Sequence, residues 1–252
     1  MLERGGARGS CVHETFKSNG SEMRPIVEAE LFRRKKTLAL ARWLLGKHLV
    51  RRFADERIES RIITETEAYN GEHDLACHAR AGRTARTDVL YGPGGMWYVY
   101  LCYGIHEMLN LVVGPENWPA AILIRGVEGA IGPGRVTKTL GIDRALNRAP
   151  AEESSGLWIE DRGVRVPASM IFKTPRIGVS YAGPIWSAKP WRFTFDPTAL
   201  PPLRAARRRP AMPPDPNGNE PPGHSEPVAP TLPRSSDQKA GRTAHRRPLQ
   251  GD

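Results

Sequence analysis

The sequence predicts an α+β fold: a single mixed domain with a curved, largely antiparallel β-sheet core and flanking helices. Segments with the composition of strands outnumber segments with helical spacing. They also do not alternate regularly with helices, as the strands of a doubly wound α/β fold would. No internal repeat is visible. The pattern is therefore typical of one sheet-based domain with a few added helices.

Proline and charge divide the 252-residue chain into three parts. Of its 23 prolines, 13 lie in the last 56 residues, where an aliphatic pattern is almost absent. A segment of this kind buries too little apolar surface to offset its chain entropy. We therefore predict a disordered arm over residues 1–25, a folded domain over 26–197 and a disordered basic tail over 198–252. Met23 is an alternative start of the chain.

The elements of the folded part follow from periodicity and turn signals. Helical spacing of leucines predicts a helix over residues 27–46, and a second, short helix is predicted over 135–140, before Gly141. Alternating or continuous apolar runs predict eight strands. These cover residues 48–52, 56–69, 96–103, 109–113, 120–125, 157–160, 176–180 and 191–195.

Charge and cysteine content limit the classes of function. The formal charge is +10, of which the tail contributes +4, so that +6 remains on residues 1–196. A basic domain with a basic tail suits phosphate binding. With only three cysteines, a disulfide framework is not expected. No apolar run is long enough to span a membrane, so no membrane partner is expected. We expect an intracellular protein, cytoplasmic and nucleoid-associated in a bacterium or nuclear in a eukaryote.

Three carboxylates share one face of the predicted strand 56–69, and two of them, Glu65 and Glu67, are close together. Alternation places six side chains on that face: Glu59, Arg61, Ile63, Glu65, Glu67 and Tyr69. Such a face either meets solvent, with salt bridges such as one to Arg61, or lines a site. Paired carboxylates are typical of glycoside hydrolysis, in which one protonates and the other attacks or activates water. Alternation does not decide between Glu65 and Glu67.

Aromatic residues cluster soon afterwards. Tyr98 and Tyr100 fall on one face of the predicted strand 96–103, and Tyr103 reaches the same site only if the chain turns at Gly104. The tyrosines could equally be core residues. Aromatic faces hold flat, electron-poor rings, so carboxylates, aromatics and basic charge together suggest an enzyme that excises bases from DNA.

A zinc site is not predicted, although His73, Cys77, His78 and Cys102 are close in sequence. They lack the paired Cys-x-x-Cys spacing of structural zinc sites. The segment 132–135 lacks the Gly-Lys-Ser/Thr ending of a nucleotide-binding loop. We therefore expect no metal and no cofactor.

In order along residues 31–196, several segments resemble the alkyladenine (3-methyladenine) DNA glycosylase family, the mammalian-type purine DNA glycosylases. Each segment is a weak signal, but the ordered set is specific. The matching segments are Leu40-Ala41-Arg42, Leu44 to Lys47, Ile63 to Tyr69, Asp74 to His78, Pro93-Gly94, Tyr98-Val99-Tyr100, Tyr103-Gly104, Leu109-Asn110, Leu123 to Gly126, Gly132-Pro133-Gly134 and Arg176-Ile177-Gly178.

The resemblance implies a role for individual residues of the catalytic pocket. Glu67 matches the general base, which selects it over Glu65. Arg125 matches an arginine near the attacking water and the DNA backbone. The resemblance also implies an aromatic cage around the flipped base, formed by Tyr69, His78 and Tyr100.

Further roles concern discrimination and DNA contact. Asn110 matches the residue that screens out guanine, and Tyr103 matches the residue that is inserted into the duplex. Arg83 matches a basic residue near the DNA backbone. Two departures from the family pattern stand out. The segment between Arg125 and Gly132 is very short, and the polar pair His106-Glu107 replaces residues that are often apolar or aromatic.

The resemblance implies a monomeric DNA repair enzyme that flips and hydrolyses alkylated purines from double-stranded DNA. Implied substrates are 3-methyladenine and 7-methylguanine, with hypoxanthine and ethenoadenine as further candidates. No lysine lies in the motifs near Glu67, so neither a Schiff base nor a lyase step is expected. Two alternatives stay open: a non-catalytic damaged-DNA-binding protein on the same fold, and a formyltransferase-type barrel domain that binds RNA.

Overall fold

A computed structural model describes residues 26–200 of the chain. The predicted arm over residues 1–25 lies outside the described residues, as does the tail from residue 201. At the end of the described part, a 3₁₀ turn spans Pro197–Ala199. Leu200 then packs against the main hydrophobic core.

Within residues 26–200, nine strands form one sheet in which every pair is antiparallel. The central path runs in the order β3-β4-β5-β2-β1-β7, while β6 pairs with β5, and β9 pairs with β2 and β8. The α+β prediction is confirmed. The strands are β1 His48–Arg52, β2 Ile58–Asn70, β3 Trp97–Cys102, β4 His106–Val112, β5 Ala120–Val127, β6 Ala130–Ile131, β7 Leu157–Glu160, β8 Phe172–Thr174 and β9 Arg192–Thr194.

Four short α-helices lie around the sheet in the described part of the chain: α1 Ala29–Phe32, α2 Thr37–Trp43, α3 Pro133–Thr139 and α4 Gly183–Ser187. The single helix predicted over residues 27–46 is wrong, because the chain turns between α1 and α2. The carbonyl of Phe32 accepts a hydrogen bond from the amide of Gly114 at 2.7 Å, not from an amide of the next helical turn. Only glycine fits at Gly94, where a Cβ would lie 2.3 Å from that same carbonyl oxygen.

Strand β2 separates the core from the cavity described below. Thr66 donates to the carbonyl of Ala41 on α2 at 2.8 Å, and Ala68 is fully buried in the core. The pairing of β2 with β5 shifts register on both sides of Glu65. Such bulges change the direction of side chains. Ile63 therefore packs in the main core and does not share the face of Glu65 and Glu67 as predicted.

The strand predicted over residues 176–180 is also wrong. That stretch forms a bend followed by the 3₁₀ turn Ser180–Ala182, and the strand lies earlier, at β8. The amide of Ile177 donates to the side chain of Glu67, not to a neighbouring strand. Gly178 has a positive φ of 75°, which breaks any extended run.

Candidate functional site

A cavity of about 890 Å³ opens on one face of the sheet. Its walls come from β3, β4 and β5, from the 3₁₀ helix His78–Ala81, and from the chain that follows β8. Six of the residues predicted from the sequence line it: Tyr69, His78, Tyr100, Tyr103, Asn110 and Arg125. Glu67 lies directly behind this lining, and Arg83 lies outside it.

Glu67 is fully buried and hydrogen-bonded on both carboxylate oxygens. Oε2 accepts from the hydroxyl of Tyr69 at 2.8 Å, and Oε1 accepts from the amide of Ile177 at 2.9 Å. Arg125 Nε lies 3.6 Å from Oε1. All three of these partners line the cavity, so the carboxylate lies against the cavity wall.

Burial raises the pKa of Glu67, because removing a carboxylate from water disfavours its charged form. Arg125, the Ile177 amide and the Tyr69 hydroxyl act in the opposite direction. The pKa of Tyr69 is raised well above its ordinary value, first by burial and then by the charge of Glu67. Tyr69 therefore remains a hydrogen-bond donor to Glu67 throughout the neutral range.

Glu65 is the centre of a second set of charged contacts. Its Oε1 lies 2.9 Å from Arg125 Nε and 2.5 Å from Arg192 Nε. Arg192 also donates to the hydroxyl of Thr174 at 3.2 Å. With two guanidinium groups on one oxygen, Glu65 is arranged to hold Arg125 in place. This geometry favours Glu67 over Glu65 as the carboxylate available for proton transfer.

A buried ion pair supports the cavity wall. Arg176 binds Asp74 through two hydrogen bonds of 2.6 and 2.9 Å, and both side chains are fully buried. The same guanidinium donates to the carbonyl of Ala68 at 2.8 Å and lies over the ring of Tyr69, 4.8 Å from its centroid. The pair therefore fixes both Tyr69 and the backbone that leads to Ile177. Sequence reasoning placed both residues in matching segments but assigned them no role.

Another part of the cavity lining is aromatic. The rings of Tyr98 and Tyr100 lie 5.1 Å apart on one face of β3, as alternation predicted. The His78 ring meets Tyr100 edge-on at 4.7 Å, and its Nδ1 lies 3.0 Å from the hydroxyl of Tyr98. Tyr98 is thus a further residue of the site, which the sequence analysis had left as a candidate core residue.

His78 is neutral in this environment. Burial lowers its pKa to about 4, with Arg86 and Arg80 contributing in the same direction. Arg86 Nη2 lies 3.3 Å from His78 Nε2. Because a guanidinium only donates hydrogen bonds, this contact needs an unprotonated ring nitrogen. The wall therefore presents an uncharged imidazole to the cavity.

Asn110 is buried on β4, opposite Tyr98 on β3. Its Nδ2 donates to the carbonyls of Tyr98 at 3.2 Å and Met108 at 3.3 Å. These two bonds fix the orientation of the amide side chain within the cavity lining. A rigid polar group at this position can exclude ligands by shape.

Tyr103 stands at the tip of the β3–β4 hairpin and is 90% exposed. Both Tyr103 and Gly104 have positive φ, 52° and 70°, and the amide of Ile105 donates to the carbonyl of Cys102. Positive φ at both central residues is the geometry of a type I′ turn. The turn that the sequence analysis required at Gly104 is therefore present, and it directs Tyr103 into solvent.

Arg83 lies away from the cavity. Its Nε donates to Asp88 at 2.7 Å, and its guanidinium lies over the ring of Tyr91. Three other arginines, Arg80, Arg86 and Arg135, line the cavity instead, and within residues 26–200 none of them pairs with a carboxylate. Sequence reasoning did not assign these three a role, because nothing local distinguishes them from other surface arginines.

Metal-binding side chains do not gather at the site. In the described part of the chain, no group of three or more His, Cys, Asp or Glu side chains could hold a metal ion. Cys77 is buried, and burial raises its pKa to about 12. No helix among residues 26–200 is long and apolar enough to cross a membrane.

Comparison with known proteins matches the whole described domain. The family profile described as Methylpurine-DNA glycosylase (MPG) matches residues 30–131 and 128–198. A relative from Myxococcus xanthus (strain DK1622) is 45% identical over 173 residues, covering 65% of this chain and 87% of its own length. One from Methanocella arvoryzae is 43% identical over 189 residues, covering 67% and 92%. Both carry the name "Putative 3-methyladenine DNA glycosylase".

Proposed function

The chain belongs to the methylpurine-DNA glycosylase family, and we propose that it removes alkylated purines from duplex DNA with water activated by Glu67. It is a hydrolase of N-glycosyl bonds in DNA. The observation that carries the detailed proposal is the buried Glu67 carboxylate, which is hydrogen-bonded to two residues of the cavity lining and lies 3.6 Å from Arg125. The proposed substrates are 3-methyladenine and 7-methylguanine, with hypoxanthine and ethenoadenine as further candidates.

The cavity suits a flipped purine. A base that reacts inside an enzyme must leave the helix, at a cost of roughly a few kcal/mol. Tyr69, His78 and Tyr100 supply aromatic rings to the lining of the cavity. Alkylation at a ring nitrogen makes many purines cationic, and aromatic faces attract cations by about 1–2 kcal/mol when water is excluded. The neutral state of His78 avoids repulsion of such a ring.

Glu67 acts as the general base that activates water. Each carboxylate oxygen can accept more than one hydrogen bond, so the bonds from Tyr69 and Ile177 orient Glu67 without exhausting its acceptor sites. A water at the cavity side of Glu67 and Arg125 would lose its proton to Glu67 as its oxygen attacks the sugar carbon. The bond from that carbon to the purine nitrogen breaks, and the purine leaves with the electron pair. A cationic purine is a good leaving group, whereas a neutral one also needs a proton.

Discrimination and DNA contact involve different residues. The fixed amide of Asn110 would clash with the exocyclic amine of guanine in the pocket. The exposed Tyr103 would fill the gap left by the flipped base, as apolar and aromatic wedges do from the minor groove. The unpaired arginines at the cavity would contact phosphates. We expect one monomer to bind the duplex.

Hydrolysis without strand cleavage is also proposed. A lyase step needs an amine that forms a Schiff base with the sugar. Among residues 26–200, the cavity is lined by four arginines and no lysine. Arginine stays protonated and does not serve as such a nucleophile.

Base release from methylated duplex DNA tests the proposal. Wild-type protein should release free 3-methyladenine, and Glu67→Gln should bind the same DNA while releasing it about 10²–10⁴-fold more slowly. Glu65→Gln is the matched control, since it should act only through Arg125. If wild type binds damaged DNA and releases no base, the chain is a damaged-DNA-binding protein. If Glu67→Gln is as active as wild type, Glu67 is not the base.

A further inference from the structure

Exposed apolar side chains gather at the mouth of the cavity. Tyr103 is joined there by Ile131, which is 71% exposed and lies at the end of β6. An isoleucine is usually buried, and an exposed one beside a binding site gains free energy when a ligand covers it. The described activity makes no use of Ile131.

A tight hairpin holds Ile131 in position. Strands β5 and β6 pair through Gly126 with Ile131 and Val127 with Ala130, so only Glu128 and Gly129 form the turn. The amide of Gly132 then donates to the carbonyl of Arg125 at 3.1 Å. This is the short segment in which the sequence departs from the family pattern. The two-residue turn and this hydrogen bond place the apolar side chain of Ile131 at the cavity.

The hairpins that carry Tyr103 and Ile131 are braced against each other. Helix α3 begins two residues after Ile131, and the Oγ1 of its Thr137 donates to the carbonyl of Glu107 on β4 at 3.0 Å. The ring of His106, at the base of the Tyr103 hairpin, lies so close to Gly134 that a Cβ there would be 2.9 Å from it. The segments that carry Tyr103 and Ile131 are therefore in direct contact at their bases.

The charge around Ile131 indicates its partner. Arg135 is exposed, lines the same cavity and has no carboxylate partner among residues 26–200. Apolar wedges flanked by cations are how proteins enter the minor groove of duplex DNA, and isoleucine is one of the residues that serve as such wedges. The phosphates of DNA would supply the counter-charge that Arg135 lacks, and the floor of the minor groove would cover the side chain of Ile131.

We propose that Ile131 is a second apolar contact with duplex DNA, which enters the minor groove beside the site of Tyr103 insertion. This proposal rests on the proposed function. Tyr103 replaces the flipped base, whereas Ile131 packs against the neighbouring sugars and base edges. Arg135 binds a phosphate next to that contact. The duplex is thereby held open at two fixed points, not one.

The test compares Ile131→Ser with Ile185→Ser. Ile185 is 74% exposed and does not line the cavity, which makes it a matched control. The probe is a duplex with a stable abasic analogue and 2-aminopurine in the neighbouring position, together with the same strand in single-stranded form. Ile131→Ser should weaken duplex binding by about tenfold and reduce the 2-aminopurine signal, with single-strand binding and the salt dependence unchanged.

Two outcomes decide the matter. The proposal stands if Ile131→Leu restores duplex binding and Ile185→Ser matches wild type. It is overturned if Ile131→Ser binds and unstacks the duplex as the control does. Base release by the same proteins is measured separately, and its absence in wild type would refute the glycosylase mechanism while leaving the binding comparison to decide the role of Ile131.

Discussion

The floor and the rim of the cavity are built on opposite principles. The floor comprises Glu65, Glu67, Asp74, Arg125 and Arg176, and each of these charged groups is buried or nearly so and paired with another. The rim comprises Tyr103, Ile131, Arg86 and Arg135, which line the mouth of the cavity and pair with no carboxylate within residues 26–200. The charged groups of the floor are paired without a ligand. The apolar side chains of the rim are exposed, and its arginines have no carboxylate partner among residues 26–200.

This difference separates chemistry from recognition. Dipoles and charges that are fixed in advance stabilise a transition state without reorganising during the reaction. Exposed cations and apolar side chains contribute to binding only when a partner supplies phosphates and a surface. Substitutions in the floor should therefore change stability and rate, and substitutions in the rim should change DNA binding.

The largest effect is expected from breaking the buried pair. Arg176→Met leaves the buried Asp74 carboxylate without its cationic partner, which should lower the free energy of unfolding by about 3–5 kcal/mol. The matched surface change, Arg83→Met, removes an exposed contact with Asp88 and should lower the free energy of unfolding far less, because solvent screens exposed ion pairs. Urea unfolding at neutral pH measures both. Equal losses would show that the floor is not the more tightly coupled region.

The pH dependence of base excision tests the role of the buried Glu67 as general base. Burial raises the pKa of Glu67, and a general base works only when ionised. The rate constant for excision should therefore be full above this raised pKa and fall about tenfold per pH unit below it. In the plot of rate against pH, the midpoint of the acid limb should lie above the ordinary pKa of glutamate, about 4.3. Single-turnover rate constants across a range of pH measure this midpoint. A midpoint at the ordinary pKa of glutamate would contradict the argument that burial raises the pKa of Glu67.

The smallest effect should appear in salt dependence. Arg86 lines the cavity without a carboxylate partner, so Arg86→Gln should reduce the slope of log affinity against log salt by about 1. Arg83 is already held by Asp88, and Arg83→Gln should leave the slope nearly unchanged. Fluorescence titrations of undamaged duplex at several salt concentrations compare them. A loss of slope in Arg83→Gln alone would restore Arg83 as the phosphate contact that the family resemblance implies.

Local sequence patterns located most of the sheet. Strand β1 was predicted with its observed bounds, and alternation placed Tyr98 and Tyr100 on one face of β3 correctly. These predictions succeed because one face of an antiparallel strand is buried and the pattern has a period of two. The hairpin turn at Tyr103 was found from Gly104, whose backbone freedom is visible in the sequence.

Long-range contacts account for what the sequence did not reveal. The break between α1 and α2 depends on a bond from Gly114 to Phe32, which no local pattern encodes. The pairing of Arg176 with Asp74 joins residues 102 positions apart. Two nearly adjacent glutamates, Glu65 and Glu67, differ only in which partners the fold brings to them. The separate roles proposed for them follow from family resemblance and not from strand alternation.

A single-lesion duplex, followed under single turnover with an excess of protein, tests the central claim most directly. Free base and strand integrity are measured together, with borohydride present to trap any covalent intermediate. We predict release of the alkylated purine, an intact strand with an abasic site and no trapped protein–DNA adduct. A duplex that is bound without release of base, or a trapped adduct with strand cleavage, would contradict hydrolysis by water activated at Glu67.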